Sequence, residues 1–165
     1  MYHIREAGIA DVETIRQIAS QTWWPTYGPI LSAEQITYML AMLYSHEKIN
    51  SQIATCEQNF LLLIDDTGPV AFAAYAPRPE DPEIYKLHKL YCLPQTQGRG
   101  YGKILINAVA DKVLTAGKQV LDINVNRFNK ARTFYEKMGF TIIYEENIAI
   151  GDYWMNDFVM RKRLV

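Results

Sequence analysis

Apolar positions in the first third of the chain recur at helical spacing. Val12, Ile15, Ile18, Ala19 and Thr22 form one stripe, which predicts an amphipathic helix opening near Gly8 and Asp11, where an acid suits the positive end of the helix dipole. The run Trp23-Trp24-Pro25-Thr26-Tyr27-Gly28-Pro29 is predicted to break it. Ser32 and Gln35 have the spacing of a capping box for a second helix with Ile36, Met39, Leu40 and Leu43 inward. A third short helix is predicted over 46–55, and residues 2–4 read as a strand ahead of all three.

The pattern then changes period. Residues 59–64 and 69–76 read as strands joined by the turn Asp65-Asp66-Thr67-Gly68. After a proline-containing loop, 83–93 reads as a long strand that stops at Pro94. Residues 102–116 return to helical spacing, with Leu105, Ala108, Val109 and Val113 inward and Gly117 at the end. A strand over 119–125, a helix over 129–138 closed by Gly139, and a hairpin of 140–150 with 153–164 around Gly151-Asp152 complete the chain. The order β-α-α-α-β-β-β-α-β-α-β-β predicts one α/β domain over 1–165, with a mixed, mostly antiparallel sheet flanked by helices.

Composition narrows the function classes. With 165 residues, 49% hydrophobic and 21% charged, the chain can bury one core. No apolar run approaches the roughly 20 residues that span a bilayer, and the start lacks the layout of a secretion signal. Cys56 and Cys92 have no metal-type spacing, so no metal is expected, and two thiols without a framework suit a reducing cytoplasm. A net charge of -1 gives no hint of nucleic acid. Within that balance, residues 97–137 carry eight bases and three acids, +5, which leaves the remainder at -6. Such a segment suits a locally bound polyanion, although a solvated helix face gives the same count.

The glycines sharpen this. Gly98, Gly100 and Gly102 fall between a strand and a helix. A helix start presents amides without internal partners, and glycine lets an anion approach them closely. Arg99 and Lys103 add charge. The same glycines could make a tight structural turn. A Rossmann fingerprint needs a further glycine where Lys103 stands, and a Walker loop needs a hydroxyl where Ile104 stands. A diphosphate site of neither type is favoured.

The run Leu87-His88-Lys89-Leu90-Tyr91-Cys92-Leu93-Pro94, followed by Gln97-x-x-Gly100-x-Gly102, resembles the acetyl-CoA motif of the GNAT superfamily of N-acetyltransferases. The run from Asn129 through Phe134-Tyr135 to Gly139-Phe140 resembles that family's second motif. The resemblance implies a sheet splayed beside Leu90, Tyr91 and Cys92, with the pantetheine arm of acetyl-CoA lying there as an added strand would. It implies the pyrophosphate on Gln97, Gly98, Arg99, Gly100, Tyr101, Gly102 and Lys103, and Phe134 against the pantetheine. Tyr135 resembles the general acid for the thiolate. The family's asparagine, three residues before the alanine, is replaced here by Phe128, so Asn126 and Asn129 are both candidates for the coenzyme. Many relatives carry a glutamate base near Asn124. Asn124 cannot take a proton, and His88 is the substitute, placed by strand alternation on the face of Leu90 and Cys92.

The expected acceptor is a small-molecule amine. The pattern from Thr22 to Leu40 and the ending Asp157-Phe158-Val159-Met160 are similar to bacterial polyamine acetyltransferases. Trp24, Tyr27 and Tyr153 are candidate walls, and acids outside the coenzyme segment, Asp157 among them, would attract a cation. Two alternatives stay open: a protein N-terminal or lysyl acetyltransferase, and a non-catalytic acyl-CoA sensor. An exposed edge on the final hairpin could join a homodimer.

Overall fold

The computed structural model describes residues 1–165, and the elements follow the expected order. Seven strands form one sheet in the order β1-β2-β3-β4-β5-β7-β6. They are β1 (Tyr2–Glu6), β2 (Asn59–Asp65), β3 (Gly68–Pro77), β4 (Ile84–Cys92), β5 (Val120–Asn126), β6 (Thr141–Ile150) and β7 (Tyr153–Arg163). Every neighbouring pair is antiparallel except β4 with β5. The helices are α1 (Val12–Tyr27), α2 (Ala33–Leu43), α3 (His46–Ala54), α4 (Tyr101–Thr115) and α5 (Ala131–Lys137). No helix is long and apolar enough to cross a membrane.

Strand β3 is buried from Val70 to Ala76 without alternation, which requires cover on both faces. Helix α4 packs on β2, β3 and β4, while α1 packs on β3 and β4 and α3 on β2. The α1 stripe Val12, Ile15, Ile18, Ala19 and Thr22 is buried, as are Leu105, Val109 and Val113 of α4. Ser32 caps α2 through the Gln35 amide at 3.1 Å. The Gln35 side chain reaches the Trp154 carbonyl at 2.9 Å instead of returning to the cap, so it ties α2 to β7.

One boundary differs. The expected break at Trp23–Pro29 does not occur there: α1 continues through Pro25 to Tyr27. A proline removes one amide bond but leaves the next turn able to close, and Gly28 donates to the Trp24 carbonyl at 2.9 Å. The extra turn buries Trp23, 2% exposed, and turns Trp24 outward, 41% exposed.

Two features shape the site. Strands β4 and β5 pair only from Ile84–Leu87 against Val120–Ile123, so beyond them the edges diverge. Near that paired end the fully buried Asp122 receives Arg161 through two hydrogen bonds, at 2.7 and 2.9 Å, and Arg78 Nε at 2.9 Å. On the other edge of β4, Ala74 opposes Lys89 while Tyr75 opposes Leu87. His88 is therefore the extra residue of a β-bulge.

The β6–β7 turn meets α2. Gly151 has φ +60°, and a Cβ added there would fall on the Tyr38 hydroxyl, whose ring lies 5.3 Å from that of Tyr153. Gly151→Ala should therefore destabilise the fold by about 1–2 kcal/mol through left-handed strain and displaced contact. A thermal melt should show Tm lower by roughly 3–8 °C.

Candidate active site

The site is built where the β4–β5 gap meets the loop before α4. Gly98 and Gly100 have φ of +86° and +76°, and a Cβ at either would meet nothing within 4 Å. Their conformation needs glycine, and open space lies above them. The Gln97 and Arg99 amides are spent on the Pro94 and Thr96 carbonyls, each at 3.2 Å. The amides of Gly98, Gly100, Tyr101, Gly102 and Lys103 have no partner within the chain. The loop is thus a nest of free donors at the N-terminus of a 15-residue helix, the arrangement that binds oxyanions.

Arg99 and Tyr101 point their side chains elsewhere. Both reach Asp65 Oδ2, at 3.2 and 2.9 Å, so they fasten the loop to the β2–β3 turn. Hydrogen bonds from Thr67, then those from Tyr101 and the charge of Arg99, hold Asp65 down at about 2. The positive segment 97–137 is also less available than its count suggests. Lys112, Lys118, Arg127 and Arg132 pair with Glu6, Glu83, Glu145 and Glu136. Lys103, in the first turn of α4, stands free of any ion pair and beside the nest.

On the α4 face of the gap, Gly102 packs against Phe134 and Cys92: an added Cβ would lie 3.4 Å from the Phe134 ring and 3.9 Å from Cys92 Sγ. Phe134 lies edge-on to the buried Tyr135, at 5.3 Å. Burial pushes the Cys92 thiol up to about 11, so it stays protonated at neutral pH and is a poor nucleophile. The Tyr135 phenol is held well above its usual range by burial first, with Tyr27 and Cys92 adding. Asn126 and Asn129 sit in the loop between β5 and α5. Asn126 Oδ1 accepts from the Phe128 amide at 3.0 Å and Asn129 Oδ1 from the Ala131 amide at 2.9 Å. Both side chains therefore shape the start of α5, Asn126 buried and Asn129 beside the Tyr27 phenol.

On the other face a cavity of about 380 Å³ opens beneath α1, α2 and α3. Tyr27, Tyr91, Lys86, His88, Lys89 and Asp157 are among its walls. The alternation that would place His88 with Leu90 and Cys92 fails at the bulge, which turns His88 to the same side as Lys89 and Tyr91. Shielding within the cavity, then Lys86, Lys89 and Arg78, lowers the His88 imidazole below its usual range, so it is neutral at pH 7, although the residue is exposed and solvent screens those charges. Trp24 lines neither this cavity nor the second one, and Trp23 takes its place. Tyr153 lines the second cavity, of about 360 Å³, with Phe128, Trp154, Asp152 and Asn126.

Sequence reasoning missed the weight of Asp157, which it grouped with the other acids outside the coenzyme segment. The residue is buried on β7 between Met155 and Val159. An acid in the inward register of a strand was the available signal. Its Oδ1 has no partner, nor does Asn124 Oδ1, while Asn124 Nδ2 donates to Asp157 Oδ2 at 3.3 Å. Burial raises the Asp157 pKa against the opposing pull of Asn124 and Lys86.

Lys89 is the other surprise. It is buried on β4, its ammonium donating to Gln52 Oε1 at 3.0 Å and to Gln58 Oε1. Burial, with Lys48 and Lys86 adding against the pull of Glu57, lowers it to about 7. An unfolded lysine keeps its proton to about pH 10. The cost of charging Lys89 in the fold is fully present below pH 7 and is relieved as pH rises towards 10, where only the unfolded chain still binds the proton. Denaturant melts at pH 7 and 9.5 should show stability rising by on the order of 2 kcal/mol, a rise that Lys89→Met should lack.

The donor nest lies beside the divergent strands, with the buried Tyr135 phenol within electrostatic reach of Cys92. The family model described as "Acetyltransferase (GNAT) domain" matches residues 56–142. The chain belongs to the GNAT acetyltransferase family. A spermidine N(1)-acetyltransferase from Thermoplasma acidophilum is 28% identical over 166 residues, covering 97% of this chain and 96% of its own length. A ribosomal protein bS18 alanine N-acetyltransferase from Haemophilus influenzae is 31% identical over 80 residues, 48% of this chain and 53% of its own. The crystal structure of the PaiA N-acetyltransferase from Thermoplasma acidophilum in complex with coenzyme A superposes with a TM-score of 0.85, at 26% identity, over 99% of each chain. The GNAT fold accounts for the α/β sheet opened between β4 and β5.

Proposed function

We propose that this GNAT enzyme transfers an acetyl group from acetyl-CoA to the primary amine of a small molecule by direct attack. The carrying observation is the set of unpartnered amides of Gly98, Gly100, Tyr101, Gly102 and Lys103 beside the open β4 edge, with Tyr135 within electrostatic reach of Cys92. Acetyl-CoA supplies the thioester. The amides of the nest and Lys103 hold its diphosphate, and the β4 backbone from Leu90 to Cys92 receives the pantetheine arm. Gly102, Phe134 and Cys92 form the wall behind it. The coenzyme A named for the PaiA structure supports this assignment.

Tyr135 keeps its proton until the thiolate leaves. A phenol so buried is a weaker acid than in water, but the leaving thiolate is destabilised by the same surroundings. Cys92 gauges this, since burial alone lifts its thiol from 9 to about 11. Burial raises both groups and leaves the phenol the weaker acid, so Tyr135 donates in concert with C–S cleavage, by position rather than by acidity. For the amine, we assign proton acceptance to Asp157 rather than His88. Asp157 is a carboxylate with a free oxygen inside the acceptor cavity, whereas His88 faces three cations. The Tyr27 phenol feels both Tyr91 and Asp157, and Tyr135 feels Tyr27, so one contiguous set of groups joins acid and base across the sheet. Asp157→Asn should lower kcat/KM by about 10- to 100-fold. It should also remove the acidic limb of the pH–rate profile that the raised carboxyl pKa produces.

A second reading, polyamine acetylation, is supported by the spermidine acetyltransferase relative and by the second cavity. There Asp152 is the only charged wall and Phe128, Tyr153 and Trp154 supply aromatic faces, a lining suited to a cation. Release of coenzyme A thiol from acetyl-CoA, measured across polyamines, amino acids, aminoglycosides and peptides, tests the transferase reading. If acetyl-CoA binds and no amine is acetylated, the protein is a coenzyme sensor. Acetylation of peptides alone would favour the protein-modifying alternative. The outermost strand β6 is exposed along most of its length, and it is the edge through which we expect any homodimer to form.

A further inference from the structure

The larger cavity carries charge of both signs. Lys48, Lys86 and Lys89 line it with Glu57 and Asp157, unlike the purely acidic pocket that a polyamine would select. The position of these charges is more informative than their sum. Lys89 lies within electrostatic reach of both Lys48 and Lys86, and Lys86 within reach of Asp157. Some partly buried cations of this chain are matched to acids, as Arg78 is to Asp122 at 2.9 Å and Lys118 to Glu83 at 2.9 Å. Lys86 has no acid at ion-pair distance; burial and Arg78 work against its charge, and Glu146, Asp157 and Glu80 favour it only from further off.

The opposite need lies a few side chains away. Asp157 Oδ1 and Asn124 Oδ1 are buried acceptors without donors. A buried acceptor left unmatched costs about 1–3 kcal/mol, so both call for N–H groups. One cavity thus offers two unmatched acceptors beside the Tyr27–Tyr135 set and an unmatched ammonium further along. A diamine answers the first need and is repelled at the second. An amine carrying an anionic oxygen group answers both.

Resting on the transferase reading above, we infer that the acceptor is an anionic amine, its amine seated on Asp157 and Asn124 and its carboxylate or phosphate on Lys86 and Lys48. The neutral His88 imidazole, on the same wall, can donate a further hydrogen bond to that group. In the attack, the amine nitrogen bonds to the thioester carbonyl carbon and the C–S bond breaks. The nitrogen's proton passes to Asp157, and the thiolate takes the Tyr135 proton.

The test compares acceptors of matched length on the full chain: 5-aminopentanoate, cadaverine and pentylamine, with O-phosphoethanolamine as the phosphate arm. Expected is a kcat/KM at least about tenfold higher for an anionic acceptor than for cadaverine. Whichever of 5-aminopentanoate and O-phosphoethanolamine is faster identifies the anionic group. Lys86→Glu should reverse the order, raising cadaverine above 5-aminopentanoate, a gain that a merely damaged fold would not give. Cadaverine preferred by the wild type, or a ratio unmoved by Lys86→Glu, would overturn the inference and leave the transferase reading intact. If no acceptor is acetylated although calorimetry shows acetyl-CoA bound, both fall.

Discussion

Tyr135→Phe should lower kcat by about 100-fold or more, the usual contribution of a positioned proton donor, while the dissociation constant for acetyl-CoA stays within about twofold. The substitution removes one oxygen from a ring fixed between Phe134 at 5.3 Å and Phe140 at 6.1 Å, so packing survives. No hydrogen bond within the chain is lost, because the Tyr135 hydroxyl makes none to a side chain or carbonyl. The effect should fall on kcat, since the proton is needed only as the C–S bond breaks. The residual rate should depend on the basicity of the leaving thiolate: a more acidic thioester leaving group should recover part of the lost activity. Single-turnover rates with acetyl-CoA and an activated acetyl thioester check this. An unchanged kcat would mean that the thiolate leaves without Tyr135.

Gly100→Val should weaken coenzyme binding by on the order of 100-fold with little effect on the core. At φ +76° a β-branched residue is strained by about 1–2 kcal/mol, and its side chain would occupy the space above the Tyr101 and Gly102 amides. Nothing in the chain lies within 4 Å of that position, so the folded protein loses no packing. The strain should appear as lost stability of the fold, and the blocked amides as lost affinity for the diphosphate. Calorimetric titration with coenzyme A and with dephospho-coenzyme A checks it, and both should weaken alike because both carry the diphosphate. If neither weakens, the nest does not hold that group.

Much of this was legible in the sequence because the decisive signals are local. The stripe from Val12 to Thr22, the stop at Pro94, and the glycines at 98, 100 and 102 each act within a few residues, and the element order follows from them. What was not legible depends on pairing between distant strands. Strand alternation set His88 beside Leu90 and Cys92, but the single extra residue in β4 opposite Ala74 and Tyr75 moved it to the other face. Lys89 keeps its alternation with Tyr91 and lies in the interior beside Gln52 and Gln58, partners from distant segments that no pattern around residue 89 announces. Trp24 was the expected wall, and Trp23 takes that place because α1 runs on through Pro25 and turns Trp24 outward. The cationic segment 97–137 is real in sequence, yet most of its charge is answered by acids such as Glu6 and Glu145 on other strands. Asp157 shows the reverse case, since its inward register on β7 was readable and its unmatched oxygen was not.

The central claim, that free main-chain amides ahead of α4 grip the coenzyme diphosphate, is tested most directly by amide nitrogen–proton NMR during titration with coenzyme A. The account predicts that the Gly98, Gly100, Tyr101, Gly102 and Lys103 amide protons shift furthest, moving downfield as each takes a phosphate oxygen, while those of Gln97 and Arg99, already bonded to Pro94 and Thr96, move little. Saturable binding with these five resonances stationary would contradict it.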